Sequence, residues 1–151
     1  FRTKDGFFMR LAGGVPIPDS TTNMTALKKF NEAFDEFNRR GWWMHIFPEA
    51  CRWDFYKPIR PFQKGAFTMS YKYNKPILPC VIPYRERTGI YRLFGKKDIP
   101  LLTITIGEPI LPDTNQPRKT EVERLREVAH NQMTKMAGIS YNPWPASWGN
   151  Q

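Results

Sequence analysis

Trp42-Trp43-Met44-His45-Ile46-Phe47-Pro48-Glu49-Ala50-Cys51-Arg52 is the stretch on which the reading of the fold turns. Its first six residues are aromatic, branched or long apolar side chains around one histidine, too short a run for a helix, and Pro48 ends it. They predict a buried strand that runs into a loop. Upstream, Met24, Leu27, Phe30, Phe34 and Phe37 recur at spacings of three and four, after the capping-type residues Asp19 to Thr22 and before Gly41, which predicts an amphipathic helix. Downstream, the polar, proline-punctuated residues Arg52 to Arg60 predict a loop. A helix over about 62–73 follows, with Phe62, Ala66, Met69 and Tyr73 on one face, and Pro76 to Ile82 reads as a second buried strand. Strand, helix, strand in that order is a βαβ unit with a parallel pair and a right-handed crossover. A short strand is expected at Ile90 to Phe94 and a further one at Leu101 to Ile106. In the last helix Thr120 and Glu123 fit a capping box, and Val122, Leu125, Ala129, Met133 and Met136 form a stripe closed by Gly138. The expected class is α/β, with a mixed, largely parallel sheet and flanking helices. Residues 1–138 read as one domain and 139–151 as an aromatic, proline-rich tail.

The chain has 151 residues, 40% of them hydrophobic, and 23 Lys plus Arg against 14 Asp plus Glu give a net charge of +9. This is enough chain for one core and too little for two ordinary domains. The longest strongly apolar runs, Trp42 to Phe47 and Leu101 to Ile106, are far shorter than the roughly 18–20 residues of a membrane span. Cys51 and Cys80 are the only cysteines; without a CxxC or a His-rich neighbour they exclude a disulfide framework and a zinc site, and read as reduced thiols. Phe1 to Arg10 lacks a signal-peptide h-region, and the first residue is not Met, so the chain reads as part of something longer.

The charge is concentrated. Residues 52–75 carry a local excess of +5 and residues 84–98 a further +3. In parallel α/β sheets ligands bind beyond the carboxyl ends of strands, where Phe47 to Arg52 would leave the sheet. Lys64 is expected in the first turn of the next helix, where unpaired N–H groups and the helix dipole favour an anion. Arg52 adds a fork that can grip two oxygens, so Arg52, Lys64 and the helix N-terminus predict a phosphate site. The same cations could be a solvated face, and Glu49 and Arg52 a local salt bridge.

Three consecutive segments carry a resemblance: Phe47-Pro48-Glu49-Ala50-Cys51-Arg52, Arg60-Pro61-Phe62-Gln63-Lys64-Gly65-Ala66-Phe67 and Lys75-Pro76-Ile77-Leu78-Pro79-Cys80-Val81-Ile82. With Gly13-Gly14-Val15-Pro16-Ile17-Pro18-Asp19 before them and Gly107-Glu108-Pro109-Ile110 after, they resemble the ordered motifs of the glycerolipid acyltransferases, the family of lysophosphatidic acid (1-acylglycerol-3-phosphate) acyltransferases. The resemblance implies a glycerol-3-phosphate acyltransferase-like fold. It also implies transfer of a fatty acyl group from acyl-CoA or acyl carrier protein to the hydroxyl of a lysophospholipid, in phospholipid biosynthesis. It assigns Arg52 and Lys64, with Gly65, to the acceptor's phosphate, Glu49 to shaping the acceptor pocket, and Ile17, Pro18 and Asp19 to the second-motif part of that pocket. The family's base is a His-x4-Asp motif. Neither His45 nor His130 has an Asp five residues on, so the base is expected upstream of Phe1 and these 151 residues alone are expected to be inactive. Ala50 and Cys51 stand where the family pattern has Gly and Thr. No metal or resident cofactor is implied, the acyl thioester being a co-substrate. The expected location is the cytoplasmic face of a membrane, peripheral or anchored by a preceding segment.

Other readings of single residues stay beside this one. Cys51 near His45 could be a nucleophile, but no spacing here makes a Cys-His pair. His45 reads as a strand histidine and His130 as structural or exposed. Trp42, Trp43, Phe47, Trp53, Phe55 and Tyr56 read as core and loop lid, or the last three, with Lys57 and Arg60, as a membrane-interface patch like Trp144 and Trp148. A non-catalytic lipid-phosphate-binding homologue is the chief rival to the enzyme. A nucleic-acid module is the second, and nucleic acid is not the expected partner because no such fold motif is present.

Overall fold

The phenylalanine stripe forms its helix. The computed structural model describes residues 14–15, 23–51, 56–93 and 100–148, and the chain divides into two units, Phe1–His45 and Ile46–Gln151. In the first, α1 (Met24–Arg39) is capped by Asn23, whose side chain accepts from the Ala26 N–H at 3.0 Å. Its aromatic stripe stacks along the helix, Phe30 to Phe34 at 4.6 Å and Phe34 to Phe37 at 6.3 Å between ring centres. Gly41 ends it at φ 68. The expected cap region, Asp19 to Thr22, lies outside the described residues.

The second unit is built on α2 (Gly65–Tyr73) and α3 (Arg118–Met136). Four two-residue strands accompany them: β1 (Cys80–Val81), β2 (Tyr84–Arg85), β3 (Leu101–Leu102) and β4 (Thr105–Ile106). β1 pairs with β4 and β2 with β3, both antiparallel, and Ile77 bridges Ile110 in the same sense. This corrects the largely parallel sheet. Residues 42–47 form no strand, and Cys80–Val81 takes its antiparallel partner from Thr105–Ile106 instead. The expected strand at Ile90 to Phe94 is instead a 3₁₀ turn, Gly89–Arg92. Trp42, Trp43 and Phe47 are exposed rather than core. Of the apolar residues in and beside the paired strands, Val81 is buried, while Ile82, Leu102, Ile104 and Ile106 are exposed.

The core lies between α2, α3 and β1. Phe62, Phe67, Leu125 and Ala129 are essentially inaccessible, joined by Ile59, Val81, Ile110 and Val122; each large side chain so buried contributes about 1.5–3 kcal/mol. The predicted stripe of α3 thus faces inward. Its capping box does not form: the helix begins at Arg118 after Pro117, with no side-chain cap. Glu121 does the local work instead, accepting from the Asp113 N–H at 2.8 Å while paired with Arg124. That Arg124 contact, above all, lowers the Glu121 pKa despite its burial. Among the described residues no helix is long and apolar enough to cross a membrane.

Candidate functional site

Pro48 and Glu49 sit in a tight turn closed by the Ala50 N–H donating to the Phe47 carbonyl at 3.1 Å. To complete it Ala50 takes φ 54, the left-handed region that the glycine of the resembled motif enters without cost. The turn then fastens to the approach of α2. The Gln63 N–H donates to the Pro48 carbonyl at 2.7 Å, and the Arg60 N–H to Glu49 Oε2 at 2.9 Å. Glu49 is therefore a loop clasp: it ties the two ends of 50–60 together, and its carboxylate is spent on a main-chain donor.

Lys64 is the N-cap of α2 rather than a first-turn residue, because the helix starts at Gly65, about three residues later than expected. Among the described residues no side chain caps this end, so the first N–H groups of the helix have no capping acceptor there, and the dipole adds positive potential. Gly65 opens the helix at an ordinary φ, and a Cβ built there meets nothing within 4 Å. Neither backbone strain nor packing demands the glycine; its effect is to leave the amides of the first turn open to approach. Glu49, Lys64 and Gly65 are thus brought to one end of α2. Arg52, Ile17, Pro18 and Asp19 lie outside the described residues.

Behind this end stand the buried Arg126, which the sequence reading passed over, and the part-exposed Glu123, which it read only as half of a capping box. Arg126, 3% exposed, donates from Nη2 to the Phe62 carbonyl at 2.7 Å and from Nη1 to both oxygens of Glu123, at 3.0 and 2.8 Å. Glu123 Oε1 in turn lies 3.2 Å from Lys64 Nζ. The only local sign in the sequence is the Glu123 to Arg126 spacing of three, common on any helix surface.

The tail from Ile139 onward returns to the same region. The Phe62 N–H donates to the Ala146 carbonyl at 3.0 Å, and Asn142 Nδ2 to the Ile59 carbonyl at 2.7 Å. The Arg60 guanidinium lies 5.1 and 5.2 Å from the ring centres of Trp144 and Trp148, and Trp144 Nε1 donates to the Tyr56 hydroxyl at 2.6 Å. A cleft of about 420 Å³ opens between α3 and the tail, with Arg126, His130, Asn142 and Trp144 on its walls. His130 is 3% exposed, edge-on to Phe62 at 5.0 Å, with Nε2 3.2 Å from the Ile59 carbonyl. Burial holds its pKa below the usual histidine range, and main-chain bonds to Ile59 and Arg60 offset this in part. His45 is exposed and on no strand, and Cys51 is an exposed free thiol. Among the described residues no group of three or more His, Cys, Asp or Glu could hold a metal ion.

Chemically, the end of α2 suits an anion whose oxygens can take N–H donors and an ammonium together. The chain is 27% identical over 142 residues to a Saccharomyces cerevisiae protein named 1-acyl-sn-glycerol-3-phosphate acyltransferase, covering 91% of this chain and 45% of that relative. It therefore spans less than half the length of that relative. No solved structure matches it significantly. The family model described as Acyltransferase matches residues 5–83, a range that takes in the Glu49 turn and the start of α2, and by this match over more than half its length the chain belongs to the acyltransferase family.

Proposed function

We propose that this chain is the acceptor-binding part of an enzyme that esterifies a lysophospholipid of the 1-acylglycerol-3-phosphate type. The observation that carries the reading is the end of α2, where Lys64 stands at an uncapped helix N-terminus beside a loop fastened by Glu49. Arg52 follows Ala50 by two residues, a covalent reach of about 7 Å. Family membership and the name of the yeast relative supply the reaction class. The acceptor hydroxyl oxygen attacks the thioester carbonyl carbon, the C–S bond breaks, an ester forms, and the proton ends on the departing thiol. The donor is acyl-CoA or acyl carrier protein, a co-substrate, so the reaction calls for no resident cofactor. Glu49, committed to the Arg60 N–H, is not the base; Arg52 and Lys64 bind the acceptor's phosphate. Because the acceptor is a lipid, the place of action is a membrane surface, on its cytoplasmic side.

In the full-length protein, Arg52→Ala and Lys64→Ala should each raise the acceptor KM more than tenfold and lower turnover, since a charge-assisted hydrogen bond contributes about 1.5–3 kcal/mol. Steady-state kinetics over a panel of lysophospholipids and acyl donors checks this, and unchanged kinetics would remove the phosphate assignment.

A further inference from the structure

A lysine at a helix start is ordinarily a poor instrument for placing a charge, because its four-carbon stem samples many rotamers. Lys64 is held. Its ammonium meets Glu123 Oε1 at 3.2 Å, and Glu123 cannot follow it freely, because Arg126 Nη1 grips both carboxylate oxygens. Arg126 is fixed in its turn by burial and by its 2.7 Å bond to the Phe62 carbonyl, two residues before Lys64. A closed circuit results: main chain at Phe62, guanidinium, carboxylate, ammonium, and back to the main chain of Lys64. An exposed Lys–Glu pair by itself would mean little. Here the carboxylate belongs first to a buried arginine, and the lysine that meets it is the one at the uncapped end of α2. The lysine ammonium has three donors and Glu123 takes one, which leaves two for an incoming anion. The charge of Glu123 is matched by Arg126, so the three groups together keep a net positive charge toward that anion.

We infer that Glu123 is a positioning residue for the acceptor's phosphate, holding the Lys64 ammonium in place at the start of α2 before the lipid arrives. This rests on the reading of Lys64 as a phosphate ligand. Prior ordering of one rotamer-rich side chain corresponds to a change of about 2–10-fold in binding, which sets the size of the expected effect.

The test is steady-state acyl transfer by the full-length protein with a phosphomonoester lysolipid as acceptor, using Glu123→Gln, Glu123→Asp, Lys64→Ala and the Glu123→Gln/Lys64→Ala pair. Glu123→Asp keeps a negative charge for Arg126 but draws the carboxylate back by one methylene, so it guards against loss of fold in the Gln variant. Expected are a more than tenfold rise in KM for Lys64→Ala, and a KM rise of about 2–10-fold with kcat within about twofold for each Glu123 variant. Glu123→Gln should add nothing in the Lys64→Ala background. If Lys64→Ala raises KM while both Glu123 variants leave it unchanged, or if the Glu123 effect persists without Lys64, the positioning role is overturned and the phosphate reading stands. If Lys64→Ala itself leaves KM unchanged, both fall.

Discussion

Ala50 occupies the left-handed region at φ 54. The strain there is about 1–2 kcal/mol for an L side chain. Ala50→Gly should therefore stabilise the chain by about 0.5–1 kcal/mol once the extra freedom of glycine in the unfolded state is subtracted. An upward shift of the urea midpoint at unchanged slope would show it, and a fall would mean that the alanine methyl makes packing contacts of greater value. Residue by residue, Glu49, Lys64 and Gly65 were legible as candidates because they stand in consecutive motifs whose order is informative. Glu123 and Arg126 were not. Their partners, Lys64 and the Phe62 carbonyl, sit far away in the chain, and no pattern within α3 distinguishes a carboxylate that reaches across to a neighbouring element from one that faces water.

At the scale of elements, the helices could be read from period and stop signals, and α1 and α3 appear with their apolar faces where the spacing put them, whereas α2 begins after Phe62 and buries Phe67 and Ser70 rather than the expected Met69 and Tyr73. The strands could be read only as apolar runs. A run such as Leu101 to Ile106 does not say which way its partner travels, because parallel and antiparallel ladders use the same side chains; the direction shows only in the pairing itself. Gly107 shows the close fit between the ladder and α3. A Cβ there would stand 2.6 Å from Met136 Sδ and 2.7 Å from Gln132 Nε2, and Gln132 Nε2 donates to the Glu108 carbonyl at 3.1 Å. Both obstacles are ends of flexible side chains, so Gly107→Ala should cost about 1 kcal/mol, the low end of overpacking. Restoration by Met136→Ala in the same chain would identify the clash as the cause, and no change in thermal midpoint in the single variant would remove it.

For the whole molecule, His130 couples stability to pH. Burial lowers its pKa in the folded state from about 6.5, so the unfolded chain takes up the proton first. The contribution is complete above the unfolded value and is lost as pH falls through the folded one. The thermal midpoint should therefore drop more steeply between pH 7 and 5 than that of His130→Gln; parallel curves would show that other groups control acid stability. The loop clasp has a different kind of consequence. Three of its four anchoring atoms belong to the main chain, at Pro48, Arg60 and Gln63, and the fourth is the Glu49 carboxylate. Neither bond uses a side chain between Glu49 and Arg60, although Tyr56 and Ile59 are engaged elsewhere, by Trp144 Nε1 and in the core, and lengthening such a segment even twofold costs only about 0.6 kcal/mol in closure entropy. The two bonds work as the clips of a frame: evolution, or a protein engineer, can rewrite side chains that the clips do not use, provided Tyr56 and Ile59 keep their places.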